Sequence, residues 1–452
     1  MSDNEISSAG KAISPIPRPA EEHHVYIEWY LNGRAGGPPG YLANLLYGLN
    51  RIEHYDKPLI VFDFYKGKQP PKAAATKKGI KYRIKRIITA LPGGKRFYTK
   101  YLSRSQKESF NNMYRFLSSL DEMMPNQGMM QAIDWSRTKS IHVHTAAEVV
   151  KVKNYLRKNF LDDRLVILTC HTPESVANEQ YALSIADGQD ESRARILQAK
   201  WLELERRAYR EADIMIFPSE EAKEPLLHDI PDFGDIIAQK DIRYLATGTK
   251  KLVSSLTKEE AKKKYGVSGK TVVGYIGRHN AIKGYDLLKE AAEEILKQRD
   301  DVVFLIGGAQ GTEFAPLDDP RWIEAGWVNP ADLLCALDVF VLPNRQTYYD
   351  LVLLEVLSMG VPVVATATGG NKSVKKIAED LELCKVDSAS LAKGISRIIS
   401  MDAAARNAKG LRLMEVYQKN YTEVHMARRY VDTIRQIYDD YNLWGGVQEE
   451  DE

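Results

Sequence analysis

The chain reads as an α/β protein with parallel sheets, divided between two domains. Three features lead there: short β-branched runs alternate with helical periodicity almost throughout, glycine-bearing turns follow several of those runs, and 452 residues exceed what one core usually organises. Strands are expected at 24–30, 58–64, 140–144, 165–171 and 214–218, then at 271–276, 302–306, 339–343 and 361–366. Helices are expected between them, at 41–50, 191–212, 258–265, 285–297 and 331–337, each with apolar residues at helical spacing.

The segment from Leu351 to Met359 is periodic around Glu355, Gly360 stops it and Pro362 follows, which predicts a helix and its end. The next run, to Thr366, is a short strand, and Gly369 and Gly370 open a turn. YLATGTKKLVSSL, from 244 to 256, precedes a fresh series of strand and helix signals, so the domain crossing is placed there. The expected organisation is a flexible tail at 1–22, a first domain at 23–245, a second at 246–423, a helix at 424–442 crossing back to the first, and an acidic tail at 443–452.

Composition excludes several classes. An apolar fraction of 44% and a charged fraction of 27% are those of a soluble globular protein, and a formal charge of +2 is so nearly balanced that it says little about partners. Cys170, Cys335 and Cys384 are odd in number and lack C-x-x-C spacing, which suits a reducing compartment and excludes a zinc or disulfide framework. No leader pattern and no run of about 18 apolar residues is seen, so a cytoplasmic location is expected. From Lys66 through Lys107 there are fourteen Lys or Arg and no Asp or Glu, interleaved with Tyr82, Ile84, Phe97 and Tyr101. This basic insertion suits an anionic membrane surface, which would make the protein peripheral on the inner face of the cytoplasmic membrane. A solvated insertion is the alternative, and nucleic acid, which would use the same cations, is not favoured.

Two loops carry chemistry. GRAGGPPG, from 33 to 40, lies between the first strand and a helix, where glycines admit a ligand to the backbone and the helix start offers free N–H groups. It is not G-x-G-x-x-G. GRHNAIKG, from 277 to 284, follows TVVGYI, so Arg278 and Lys283 leave the carboxyl end of a strand where they can converge on two phosphates.

Together these stretches resemble family 4 of the glycosyltransferases, with its GT-B architecture of two Rossmann-like domains facing across a cleft. The matching segments are collinear over most of 24–442: GGPPGYLANLL, IHVH, LTCH, ADIMIFPSE, YLATGT, GRHNAIKGYDLL, FLIGGAQG, AGWVNPADLLCALDVFVLP and LLEVLSMGVPVVATATGG. The resemblance implies retaining transfer of a hexosyl unit from a nucleoside-diphosphate sugar (UDP- or GDP-linked) to a glycan or lipid-linked acceptor, without a cofactor or metal, as in bacterial O-antigen, capsule or lipopolysaccharide assembly. It implies that Arg278 and Lys283 contact the diphosphate, Glu355 the ribose, Gly36 and Gly37 the phosphate and sugar, and Val328 the base. By the same resemblance Leu351 would fall on the donor side and His144 beneath the sugar, with His171 and Tyr41 as acceptor-side candidates.

One position departs. The family's E-x7-E signature has Thr347 where its first Glu stands, with Asp350 three residues on. Either Asp350 reaches the sugar, or Thr347 supplies a hydroxyl, or turnover is lost and the chain is a catalytically silent binding or scaffold protein.

Overall fold

The computed structural model describes residues 21–28, 37–52, 59–64, 94–308 and 313–444. The expected tail as far as residue 20, Gly36, the basic stretch 66–93, the end of FLIGGAQG and the acidic terminus lie outside the described residues.

Two six-stranded sheets form the two layers. The first contains β1 (Glu22–Ile27), β2 (Leu59–Phe64), β3 (Thr138–Val143), β4 (Leu165–Leu168), β5 (Ile214–Phe217) and β6 (Asp241–Tyr244), in the order β2-β1-β3-β4-β5-β6. The second contains β7 (Thr271–Ile276), β8 (Val302–Gly307), β9 (Trp322–Gly326), β10 (Val339–Leu342), β11 (Val363–Thr366) and β12 (Glu382–Cys384), in the order β12-β11-β10-β7-β8-β9. Every pairing between these strands is parallel. The central strands are β-branched runs buried on both faces, as parallel sheets covered by helices require.

Three strands were not expected: β6, β9 and β12, each at a sheet edge. Their sequences DIRY, WIEAG and ELC carry charges that an edge tolerates. Arg243 is held by Asp241 and Asp440, and Glu324 accepts from Tyr285 and Trp322. β1 starts at Glu22, inside the stretch read as tail, because Arg137 (2.8 Å) and His24 pair with its carboxylate and allow the charge into a strand. β11 begins two residues later than expected; Pro362 has no N–H to pair, although its carbonyl accepts from Phe340 at 2.8 Å. β4 stops at Leu168, short of the expected His171, which the following loop therefore carries.

Each sheet turns at its first strand. β1 lies between β2 and β3, and β7 between β10 and β8, so successive connections leave in opposite directions from the β1/β3 and β7/β10 seams. Loops at the carboxyl ends of such seams diverge and leave a crevice, which is where ligands gather in open α/β sheets.

The C-terminal helix Glu423–Asp440 lies against the first-layer helix Pro38–Leu49. Its Met426, Tyr430, Ile434 and Ile437 join Val25, Ile27, Leu42 and Leu45 in one apolar cluster. Tyr430 also satisfies two buried histidines, its hydroxyl lying 2.8 Å from Nε2 of His23 and 2.8 Å from Nδ1 of His142. The two chain crossings between the layers touch there: Thr249 N–H donates to the Tyr421 carbonyl (2.9 Å), and the Tyr417 hydroxyl to the Thr249 carbonyl (2.7 Å).

This approach leaves no room at Gly48, where a Cβ would meet the Glu423 carbonyl oxygen at 2.1 Å. Gly48→Ala should cost about 1–3 kcal/mol as the two helices are forced apart. Thermal melts check this; an unchanged melting temperature would count against the packing described.

Candidate active site

The loops after β7 and β10 in the second layer are fixed by polar contacts. Residues 277–284 follow β7 and are fastened to the loop after β10 by Arg345, whose guanidinium makes a bidentate pair with Asp286 (2.6 and 2.6 Å) and donates to the Ala281 carbonyl (2.9 Å). Gly284, at φ +65°, lies where a Cβ would fall 1.8 Å from the Pro343 carbonyl oxygen. Only glycine fits both the backbone conformation and the space.

Lys283 turns toward Asp350. Its Nζ is 2.5 Å from Asp350 Oδ2, and Asn344 Nδ2 donates to the same oxygen at 2.9 Å. The other oxygen accepts from the N–H of Val352 (3.3 Å), so Asp350 is also the N-cap of the helix Leu351–Ser358. Burial raises the Asp350 pKa, but Lys283 and the hydrogen bonds outweigh it and hold the carboxyl below its usual range. Thr347 is buried with no side-chain hydrogen bond among the described residues, and its carbonyl oxygen would be 1.7 Å from a Cβ at Gly369. Of the two residues, Asp350 is committed to Lys283 and to the helix start.

Glu355, one turn into that helix, is half-buried and has no side-chain hydrogen bond among the described residues. Desolvation, with Asp350 nearby, pushes its carboxyl up to about 7. Leu351 is the first residue of the helix. Val328 follows β9 and packs near Gly307, next to Trp327, which is 87% exposed. Arg278 does not share the Lys283 contact; it reaches across the cleft to Glu179 at 3.4 Å.

On the first layer the expected acceptor-side residues converge. Gly37, at φ +68°, precedes the helix Pro38–Leu49, and its carbonyl accepts from Tyr41 N–H at 3.0 Å. The Tyr41 ring lies 4.5 Å from that of His171 and 6.0 Å from that of His144. His144 Nδ1 is 3.0 Å from His171 Nε2, and the His144 backbone N–H donates to Glu148 Oε2 (3.1 Å). Burial drives His171 down to about 3 and His144 well below its ordinary value, so both rings are neutral near pH 7.

The two layers meet through Tyr348, which the motifs did not single out, and through Gly369 and Lys372. Tyr348 donates to the Ile216 carbonyl of β5 (3.4 Å) and sets its ring 6.2 Å from His171, edge on. Gly369 N–H and Lys372 both reach Glu224, at 3.0 and 2.6 Å. Between the layers a cavity of about 610 Å³ is lined by Glu174, Asn178 and Asp229 on one side and Ile282, Gln346 and Thr368 on the other. Burial, aided by Glu179 and Asp229, pushes Glu174 up to about 7. Among the described residues no group of three or more His, Cys, Asp or Glu could hold a metal, and no helix is long and apolar enough to cross a membrane.

Two six-stranded parallel layers facing across a cleft, with seams opposed, define the GT-B fold, and comparison with solved structures bears this out. Sucrose-phosphate synthase from Thermosynechococcus elongatus superimposes with a TM-score of 0.60 at 19% identity, over 93% of this chain and 100% of that one. Anabaena HepE in complex with UDP-glucose gives a TM-score of 0.56 at 14% identity, over 92% and 99%. In sequence, residues 270–401 match the family model described as glycosyl transferases group 1.

Curated relatives match over part of their length. D-inositol 3-phosphate glycosyltransferase of Geodermatophilus obscurus is 35% identical over 133 residues, covering 24% of this chain and 29% of that protein. The lipopolysaccharide core biosynthesis mannosyltransferase LpsB of Rhizobium meliloti is 35% identical over 135 residues, covering 27% and 38%. The α-D-kanosaminyltransferase of Streptomyces kanamyceticus is 26% identical over 193 residues, covering 40% and 48%. The chain thus spans between about a third and a half of the length of these relatives.

Replacing Asp350 by Asn keeps the shape and the cap but leaves Lys283 half-buried without its counter-charge. Asp350→Asn should lower stability by about 1–3 kcal/mol near pH 7. Because the folded-state carboxyl is depressed, the gap from wild type is present above the ordinary aspartate range near ~4 and closes as pH falls through the lower folded value. Urea unfolding at neutral and acid pH measures it; equal stability at neutral pH would remove the ion pair from the account.

Proposed function

We propose that the chain is a retaining glycosyltransferase that moves a hexosyl unit from a UDP- or GDP-linked sugar to a hydroxyl of a glycan or lipid-linked acceptor. The observation that carries this reading is the meeting of Tyr348 and His171, ring centres 6.2 Å apart. It brings the loop before Glu355 against the strand-end histidines of the opposite layer. A sugar whose diphosphate rests on the 277–284 loop would then lie within reach of His144.

In this reaction the acceptor oxygen bonds to the anomeric carbon while that carbon's bond to the β-phosphate oxygen breaks. The acceptor's proton passes to the departing phosphate on the same face. Arg278 and Lys283 stabilise the charge that grows there, and with two cations in that role the step calls for no metal. Glu355 receives the ribose hydroxyls, Gly36 and Gly37 admit the phosphate and sugar, and Val328 offers backbone to the base. Asp350 acts through Lys283 by holding its ammonium in place, and Thr347 takes the sugar-facing position. The cavity that Gln346 helps to line would give room for an acceptor.

The lipopolysaccharide relative supports a place in bacterial cell-surface polysaccharide assembly, such as O-antigen or capsule. Residues 66–107 would then hold the enzyme on an anionic inner membrane face, at roughly 1 kcal/mol per well-placed cation. A catalytically silent binding protein is the second reading, favoured by the engagement of Lys283 with Asp350 in place of a free cation.

The test is a panel of nucleoside-diphosphate sugars with glycan acceptors. Acceptor-dependent release of nucleoside diphosphate is expected from the wild type, falling by at least about 10²-fold when Arg278→Ala and Lys283→Ala are combined. Binding without turnover across the panel would select the silent protein. The raised Glu355 carboxyl adds a pH signature, because only the ionised form accepts both ribose hydroxyls. Donor affinity should weaken as pH falls through about 7, approaching tenfold per pH unit, and Glu355→Gln should flatten that slope. Calorimetry between pH ~6 and ~8 reads it; the same slope in the variant would place the titrating group elsewhere.

A further inference from the structure

His144 and His171 are joined by one short contact, Nδ1 of the first to Nε2 of the second at 3.0 Å. A hydrogen bond between two ring nitrogens needs one proton and one lone pair. Burial keeps both imidazoles neutral, so each ring carries a single N–H. If His144 Nδ1 holds the shared proton, its Nε2 is bare and His171 must carry its own proton on Nδ1. If His171 Nε2 holds it, His144 must carry its proton on Nε2. In either case the two rings have the same tautomer.

The surroundings leave His171 as the group that can impose this. His144 Nε2 is buried and has no hydrogen-bond partner among the described residues. His142 lies over His144 with ring centres 4.4 Å apart, but both its nitrogens are taken, by the Tyr430 hydroxyl and by Thr169 Oγ1, each at 2.8 Å. The His171 ring is braced by Tyr41 at 4.5 Å within its own layer and by the edge of Tyr348 at 6.2 Å from the opposite one.

We infer that His171 is a positioning residue: it ties the tautomer of His144 to its own and so governs whether the unpartnered His144 Nε2 meets a ligand hydroxyl as donor or as acceptor. His171 was an acceptor-side candidate on sequence grounds; here it works through His144. Tyr348 links this pair to the loop that carries Thr347 and Asp350, so the state of the donor-side loop bears on the ring that sets the tautomer. The kinetic consequence rests on the proposed transfer reaction, whereas the tautomer itself does not.

The experiment uses the full chain labelled with ¹⁵N-histidine and long-range ¹H–¹⁵N spectra, with His144→Gln and His171→Gln supplying the assignments. Wild type should show His144 and His171 each as one tautomer, and the same one. His171→Phe, which keeps a ring but has no nitrogen, should leave His144 as a mixture. His171→Gln, which keeps a polar nitrogen and oxygen near the same place, should restore a single form. In the transfer assay His171→Phe should lower kcat about tenfold with donor KM unchanged, and His171→Gln should recover most of it.

Opposite tautomers in the wild-type rings, or a His144 signal indifferent to His171→Phe, would overturn the inference. Should His171→Phe fail to fold, the wild-type pairing of tautomers and the His171→Gln spectrum still decide. A wild type that transfers no sugar but shows the matched tautomers would refute the proposed function and leave this positioning role standing.

Discussion

The Lys283 ammonium and the Asp350 carboxylate, 2.5 Å apart and both largely withdrawn from water, join the loop after β7 to the loop after β10 at the seam where the second sheet changes direction. Removing one charge would strand the other, so the pair constrains both loops at once. Asp350 also starts the helix that carries Glu355, and Asn344 completes the coordination of its carboxylate. The positions of Lys283, Thr347 and Glu355 are therefore not independent. A displacement of Asp350 would move the cation, the helix start and the half-buried carboxylate together.

The first layer offers a counterpart without charge. A run of neutral histidines under the sheet is satisfied by hydroxyls: His23 by Ser140 and Tyr430, and His142 by Tyr430 and Thr169. Tyr430 belongs to the helix that the chain forms only after completing the second layer, so the floor beneath His144 is finished by the last helix. Meanwhile Glu224 and Glu221 hold the turn after β11 through Gly369, Lys372 and Ser373. These contacts belong to one arrangement of the layers, and domain closure of the kind that excludes water from a transfer site would make or break them.

The layers were legible in the sequence because their central strands are continuous β-branched runs, and glycine turns such as that at Gly277 to Gly284 marked loops at the ends of those strands; the strand order, and with it the seams, was not legible. The edge strands were not legible. Asp241, Glu324 and Glu382 make those segments look like loops until the partners that satisfy them are known. At the candidate site, the motifs named candidate residues but not the partners that the structure gives them. Nothing local to Lys283 points to Asp350, 67 positions away, and nothing near His23 points to Tyr430, 407 positions away. Tyr348 gave no signal either, since its contact with Ile216 exists only once two separate sheets face each other. Long-range side-chain pairing follows from tertiary placement, which periodicity and motif spacing do not encode.

The most direct measurement is a crystal structure of the full chain with a nucleoside-diphosphate sugar that is not turned over. The account predicts the diphosphate on Lys283 and Arg278, the ribose on Glu355, and the sugar between Thr347 and His144, with Asp350 still against Lys283. A nucleotide seated instead among Glu174, Asp229 and Gln346, or one that leaves Arg278 and Lys283 untouched, would contradict it.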